Sequence, residues 1–506
     1  MLPLRKITLL LLSSFVLAGD GIPRFDSIKR AVPGHGLILE SHVAKSQPDR
    51  IVNVEMLHED GHDPAFHLLQ DDDVVHSSHS HKVELSGMAP GRGGRYVAAS
   101  PIAAGEEILS IPMDNIMSAQ SAKEGRIHLL VDANPHLPPA VVLALHLLEE
   151  KHKGPSSKWH SFISTLPKTF HSTIFLSDDE WDLIQGSHVA RLTETRRKAI
   201  ADFYDALESP LTSNIVDPPF FTPAQFTLKS FQWAMAAVWA HSILVPKLQV
   251  DPAEDADQFD AVLVPVVSTL TPCHDCDNRI QVEAGYFTLI ASQALAQGDE
   301  VQFHLGTNSM ALYMLNHGFA PATPSSADAV AVGIQVEPSD PLLLFKNQIL
   351  AMMNTTMDVS YAPAYGMSTD IILTSMLPSM RAKVLATSEM DQYQRVVDGH
   401  IVSYVREWMD TMSHVDISII RLRNEHAVCR ALLQTVHTIL AQYVTSPDQV
   451  NHLLSSAVLE TERTKDLLRT LQVEQAILIT TEQAIQHHWL QLLVDDSLLS
   501  ATTNAT

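Results

Sequence analysis

Apolar and polar residues first settle into a regular pattern at Lys82-Val83-Glu84-Leu85, whose strict alternation marks a half-buried strand. A glycine-rich turn at residues 91–94 follows. Two further strands are predicted at residues 96–99 and 107–111, separated by the turn Ala103-Ala104-Gly105-Glu106. From about residue 140 to 239 the period becomes helical. Val141, Leu143, Leu145, Leu147 and Leu148 are dense enough for a fully buried helix, and residues 231–238 predict another. The joint Pro218-Pro219-Phe220-Phe221 interrupts the helical stretch. Strand-like runs return at residues 261–267, 282–291 and 300–304. Beyond Pro338 the pattern is helical almost throughout: Cys429, Leu432, Leu433, Val436, Ile439, Leu440 and Tyr443 recur at helix spacing, as do Leu467, Leu468 and Leu471. The fold class expected is α+β: a β-rich domain split by a helical insertion, followed by an all-α domain.

The residues before this pattern read differently. Arg5 and Lys6 precede an apolar run from Ile7 to Leu17, which ends in Ala18-Gly19-Asp20. This is the layout of a cleavable secretory signal over residues 1–18, and the run is too short to span a membrane. It predicts a chain that is secreted or reaches an organelle through the secretory route. Residues 19–81 are an irregular, histidine-rich leader. The leader holds His58-Glu59-Asp60-Gly61-His62, which has the H-E-x-x-H spacing of a zinc helix. Asp60 and Gly61 are poor helix formers and Pro64 follows, so the stretch reads as a loop and no resident metal site is assigned.

Composition narrows the partners. With 34 basic and 58 acidic residues the formal charge is −24, which repels phosphate backbones and disfavours nucleic acid as a partner. Three cysteines cannot form a disulfide framework, so stability must come from an apolar core. Cys273-His274-Asp275-Cys276 either closes a small disulfide or keeps free thiols. As a zinc half-site it lacks a second C-x-x-C. Cys429 is expected to be unpaired and buried.

Several stretches, in order, carry a family resemblance. Gly94-Arg95-Tyr96-Val97-Ala98-Ala99 leads into Ile102-Ala103-Ala104-Gly105-Glu106-Glu107-Ile108-Leu109-Ser110-Ile111-Pro112. Then come Trp159-His160-Ser161-Phe162-Ile163-Ser164-Thr165-Leu166-Pro167, Phe231-Gln232-Trp233-Ala234 and Leu263-Val264-Pro265. The last are Ala294-Leu295-Ala296-Gln297-Gly298-Asp299-Glu300-Val301 with Gly306 and Gly318-Phe319, and Leu471-Gln472-Val473-Glu474-Gln475-Ala476-Ile477-Leu478. This order resembles SET-domain protein methyltransferases of the Rubisco large-subunit methyltransferase type, including relatives that modify actin histidine. The resemblance implies a SET domain over residues 82–322, with its helical insertion at about 120–260, and a helical substrate-binding domain over 338–495. It also implies S-adenosylmethionine as methyl donor and a protein substrate or partner held by the groove and the C-terminal helices.

Such an enzyme aligns a side-chain nitrogen, usually of lysine, about 3–3.5 Å from the donor methyl. Carried over residue by residue, the resemblance places the donor against Gly94, Arg95 and Tyr96, His241, Thr271 and Pro272, and Ser309 and Met310. Leu305 and His317 take the positions of the family tyrosines. Most of these depart from the family pattern. Tyr96 replaces a glycine whose backbone must approach the ligand. His241 replaces an arginine and lacks its bidentate fork. Thr271-Pro272 replaces an Asn-His pair, and Pro272 has no backbone donor. Ser309-Met310 replaces Ser-Asn. One preorganised donor is typically worth about 10²–10³ in turnover, so the expectation is a reduced pocket with weak or absent transfer. The alternative is a non-catalytic SET-like protein-binding module.

Overall fold

In the computed structural model the described residues are 82–503, apart from 90–92, 215, 247–258, 274–278, 305, 307, 353, 388–418 and 457–460. The signal-like segment, the histidine-rich leader, Leu305, His274 and Cys276 lie outside them.

The strands form small sheets around one apolar centre. β1 (Val83–Ala89) and β2 (Gly93–Ala98) are antiparallel, with Leu85 opposite Tyr96. β3 (Glu107–Pro112) is paired within a second sheet. The expected strand over 261–267 is shorter: β4 (Ile243–Pro246) pairs with β5 (Phe259–Val262), and the chain then leaves the sheet. Pro265 supplies no N–H for a ladder and Val266 adopts φ 67°, so residues Val267–Thr269 wind into a 3₁₀ turn instead. β6 (Thr271–Cys273) runs parallel to β9 (Gln302–His304).

The run 282–291, expected as one strand, is a hairpin of β7 (Arg279–Glu283) and β8 (Tyr286–Ile290). Its turn, Ala284-Gly285, has φ 52° and 82°. Two consecutive left-handed residues match the twist of the flanking strands, and glycine takes one of them at no steric cost. β8 lies in the middle of this sheet, between β3 and β7.

Between β3 and β4 lie the helices α1 (His128–Ala133), α2 (Pro139–Lys153), α3 (His160–Thr165), α4 (Asp178–Ile184), α5 (His188–Thr212) and α6 (Leu228–His241). α2 starts on a proline at its first position, where the missing N–H costs nothing, and residues 140–150 are all buried. It packs against α6, whose Phe231, Ala234, Ala237 and Val238 are likewise buried. α7 (Met310–His317) closes this part.

The C-terminal helices are α8 (Leu343–Met352), α9 (Thr369–Lys383), α10 (Ile419–Gln442), α11 (Pro447–Ser455) and α12 (Glu462–Thr503). The last four share a core with α4, α5 and α7, while Ile349 and Leu350 of α8 pack in a smaller cluster with Ala382 and Leu385. Polar contacts fix the join. Glu474 of α12 accepts the backbone N–H groups of His188 and Val189 at 2.9 and 3.0 Å, capping the start of α5, and takes the Tyr443 hydroxyl at 2.8 Å. Arg463 pairs with Glu180 of α4. Among the described residues no helix is long and apolar enough to cross a membrane.

Candidate functional site

The helix α6 ends on His241, beside the 3₁₀ turn Val267–Thr269. The ring is buried, and its Nδ1–H donates to the Ser268 carbonyl at 2.5 Å. That bond fixes the tautomer and leaves Nε2 bare, with no hydrogen-bond partner among the described residues. Burial pushes the imidazole down to about 4, so it is neutral at pH 7 and offers no cation.

From the other side comes α7. Ser309 caps it, its Oγ accepting the Leu312 N–H at 3.2 Å, and Gly318 ends it at φ 74°. Tyr313 and His317 sit one turn apart on this helix, and their rings form a triangle with Phe319, with centroids 5.5–5.8 Å apart. The Tyr313 hydroxyl donates to the Gly306 carbonyl at 2.8 Å, and burial pushes its pKa up to about 12.

His241, Pro272 and His317 converge on one cavity, lined also by Ser268, Leu270 and Phe319. Its volume is about 20 Å³. That is room for about one water molecule.

Tyr96 stands directly behind this shell. Its hydroxyl is hydrogen-bonded to Thr269, next to Ser268, and to Thr165 at the end of α3, and burial raises its pKa. The ring folds over Gly94: a Cβ there would lie 2.9 Å from Tyr96 Cε2 and 3.0 Å from Leu85 Cδ1. Gly94 is thus needed for packing against this tyrosine.

The other expected positions do other work. Arg95 is exposed and its Nε donates to Glu300 Oε1 at 3.0 Å. Thr271 donates to the same oxygen at 2.6 Å, so Glu300 ties β2 to β6. Ser309 is spent on the helix cap. Met310 is buried, its N–H donating to Asp328 Oδ1 at 2.6 Å, and it faces a different cleft of about 820 Å³ with Tyr365, Lys465 and Arg469. Leu305 lies outside the described residues. Cys273 is disulfide-bonded, while Cys429 is a buried free thiol. Ser309→Ala should therefore cost about 1 kcal/mol of stability, read from the urea midpoint, as the loss of a helix cap does.

Sequence reasoning missed Tyr313, Thr165 and Thr269. Tyr313 was findable, because it lies four residues before His317 on an apolar helix. The two threonines were not, since their link to Tyr96 joins distant segments.

Comparison with known proteins fits this architecture. Residues 337–485 match the family described as Rubisco LSMT substrate-binding. The chain is 24% identical to the actin-histidine N-methyltransferase of Drosophila melanogaster over 336 residues, covering 62% of this chain and 59% of that one. It is 25% identical to the actin-histidine N-methyltransferase of Homo sapiens over 265 residues, covering 50% and 42%. It thus spans about half the length of the curated relatives it matches. Among solved structures, Rubisco LSMT bound to AdoMet superposes with a TM-score of 0.69 at 18% identity, covering 84% of this chain and 92% of that one. The SET domain of LSMT bound to lysine and AdoHcy gives 0.68 at the same identity, covering 84% and 91%. The chain has the Rubisco LSMT fold, and the SET-type resemblance read from its sequence holds.

Proposed function

We propose that this SET-type chain holds a protein partner or substrate through its groove and C-terminal helices, and that its donor pocket supports methyl transfer weakly or not at all. The observation that carries this reading is the cavity where His241, Pro272 and His317 meet. At about 20 Å³ it is far below the roughly 300–1,000 Å³ of ordinary ligand pockets. The residues around it do not fit S-adenosylmethionine. The position of the family arginine carries a neutral imidazole turned to the Ser268 carbonyl. The position of the family amide carries Pro272, without a donor, and the Tyr96 ring covers the backbone the donor would approach. A protein as the bound species is supported by the substrate-binding match at residues 337–485 and by the actin-modifying relatives. The signal-like residues 1–18 extend the proposal to a secretory location, apart from the cytosol where the methyl donor is made.

A second reading, retained transfer to a protein histidine, is favoured by the names of those relatives. Isothermal titration of the full chain with S-adenosylmethionine separates the two. No heat at millimolar ligand is expected. Saturable binding at micromolar ligand, with labelled methyl appearing on actin, would establish the second reading instead.

A further inference from the structure

We propose that His146, Glu149 and Glu150 of α2 form a binding site for one divalent transition-metal cation of the zinc class. Three and four residues apart, they share one face of the helix. One donor atom from each lies within 4.8 Å of the other two, and all three residues are buried. Nothing in this site belongs to the cavity of His241 and His317.

The hydrogen bonds around the cluster determine what it lacks. Ser121 Oγ donates to the Ser118 carbonyl at 3.0 Å and so has only lone pairs left for His146. With the Ser121 hydroxyl on that carbonyl, His146 Nε2, at 3.1 Å, is the nitrogen that donates to Ser121. Nδ1 is left with a bare lone pair. It faces Glu149 Oε2 at 4.0 Å, and among the described residues neither atom has a hydrogen-bond partner. His146 is 0% exposed and Glu149 8%. Two buried acceptors facing each other, with no hydrogen between them, is an arrangement that a cation relieves.

The remaining contacts suit a ligand shell. Glu149 Oε1 accepts the Arg126 N–H at 2.8 Å, and Glu150 Oε2 accepts the Ser157 hydroxyl at 2.6 Å. A carboxylate or imidazole whose second atom is held in this way is oriented for a metal, as outer hydrogen bonds do in known sites. Trp159 packs edge-on against the imidazole, with centroids 5.1 Å apart, and holds the ring in place. A Cβ at Gly125 would collide with Glu149 Oε2, so the glycine leaves that oxygen its place. One imidazole and two carboxylates favour zinc, manganese or ferrous iron over calcium or magnesium, which prefer all-oxygen shells. Ligand atoms about 2.0–2.2 Å from zinc require only small inward shifts of these side chains. The competitor is Lys153, whose ammonium lies 2.5 Å from Glu150 Oε1 and 3.8 Å from Glu149 Oε1. Its side chain is 38% exposed, and it can swing into solvent.

Cobalt(II) serves as the probe on the full chain, with visible d–d absorption as the readout and zinc as the displacing ion. One equivalent should bind, and His146→Gln or Glu149→Gln should weaken it by about 100-fold. Lys153→Gln, at a position that tolerates change, should tighten binding several-fold, an effect no purely structural role predicts. A His58→Ala/His62→Ala variant should retain the band. The proposal is overturned if cobalt does not bind at micromolar concentration, which would leave a bridging water. It is equally overturned if the band survives both ligand substitutions, if Lys153→Gln weakens it, or if it vanishes with His58 and His62.

Discussion

Glu425→Gln lowers the unfolding free energy by about 3–5 kcal/mol, the cost of leaving one member of a buried ion pair without its partner. Glu425 of α10 accepts Arg381 Nε at 2.6 Å and Arg381 Nη2 at 2.5 Å, a bidentate pair, and His488 Nε2 of α12 lies 3.0 Å from the same carboxylate. Asn424 donates to the Arg381 carbonyl at 3.2 Å. The four residues join α9, α10 and α12, and all are buried. Glutamine keeps the shape but turns one end of the side chain into an N–H donor facing guanidinium N–H groups. The guanidinium then loses the carboxylate that accepts two of its N–H groups.

The pH dependence has a definite sign. Burial alone would raise the Glu425 pKa, but the hydrogen bonds from His488 and Arg381 outweigh it and hold the group below its ordinary value. A lowered folded pKa means the pair stabilises above the unfolded value of 4.5, and that stability is lost as pH falls through the folded value. Urea midpoints should therefore fall below pH 4.5 for the parent chain, and fall less for Glu425→Gln, in which Glu180 and Asp340 still lose their ion pairs. A second readout is Cys429, one turn after Glu425. Burial, and then the Glu425 charge, push its thiol up to about 12, so it is inert in the native protein. In the variant it should react faster with a thiol reagent. A midpoint at neutral pH within about 0.5 kcal/mol of the parent would mean the pair contributes nothing net, as many ion pairs do.

The sequence carried the layered architecture because burial patterns with period. Leu143, Leu145, Leu147 and Leu148 fall on different sides of a helix, and α2 is indeed buried all round over residues 140–150. Where local chemistry overrode hydrophobicity, the pattern misled. The apolar run 261–267 breaks at Pro265 and Val266, and the run 282–291 folds back at Ala284-Gly285. The site divides in the same way. His241, Pro272 and His317 were identified one by one from family positions, and the fold brings them to a single cavity. Ser309 and Met310 lie at the opposite end of α7, where a cap and a core contact determine their chemistry. The His146 cluster was hidden for a different reason. Its meaning rests on which nitrogen Ser121 holds, and no spacing in the chain encodes that.

Tyr96→Gly tests the proposed obstruction of donor binding, because it restores the glycine that the family resemblance expects there. Removing a buried aromatic ring typically costs about 3–5 kcal/mol. Thr165 and Thr269 also lose the hydroxyl that joins them. Tyr96→Phe removes only that hydroxyl, and should cost about 1 kcal/mol. The pair of variants separates volume from polarity. If the ring is what excludes S-adenosylmethionine, Tyr96→Gly gives saturable heat on titration while Tyr96→Phe and the parent chain give none. A folded Tyr96→Gly variant with no affinity would move the obstruction inward, to the neutral His241 and the donorless Pro272. Donor binding by the parent chain, unchanged in Tyr96→Gly, would show that the ring never stood in the donor's way. A single cooperative urea transition in both variants, at a midpoint above the titration conditions, distinguishes lost binding from lost fold around Tyr96, which packs in its own core cluster.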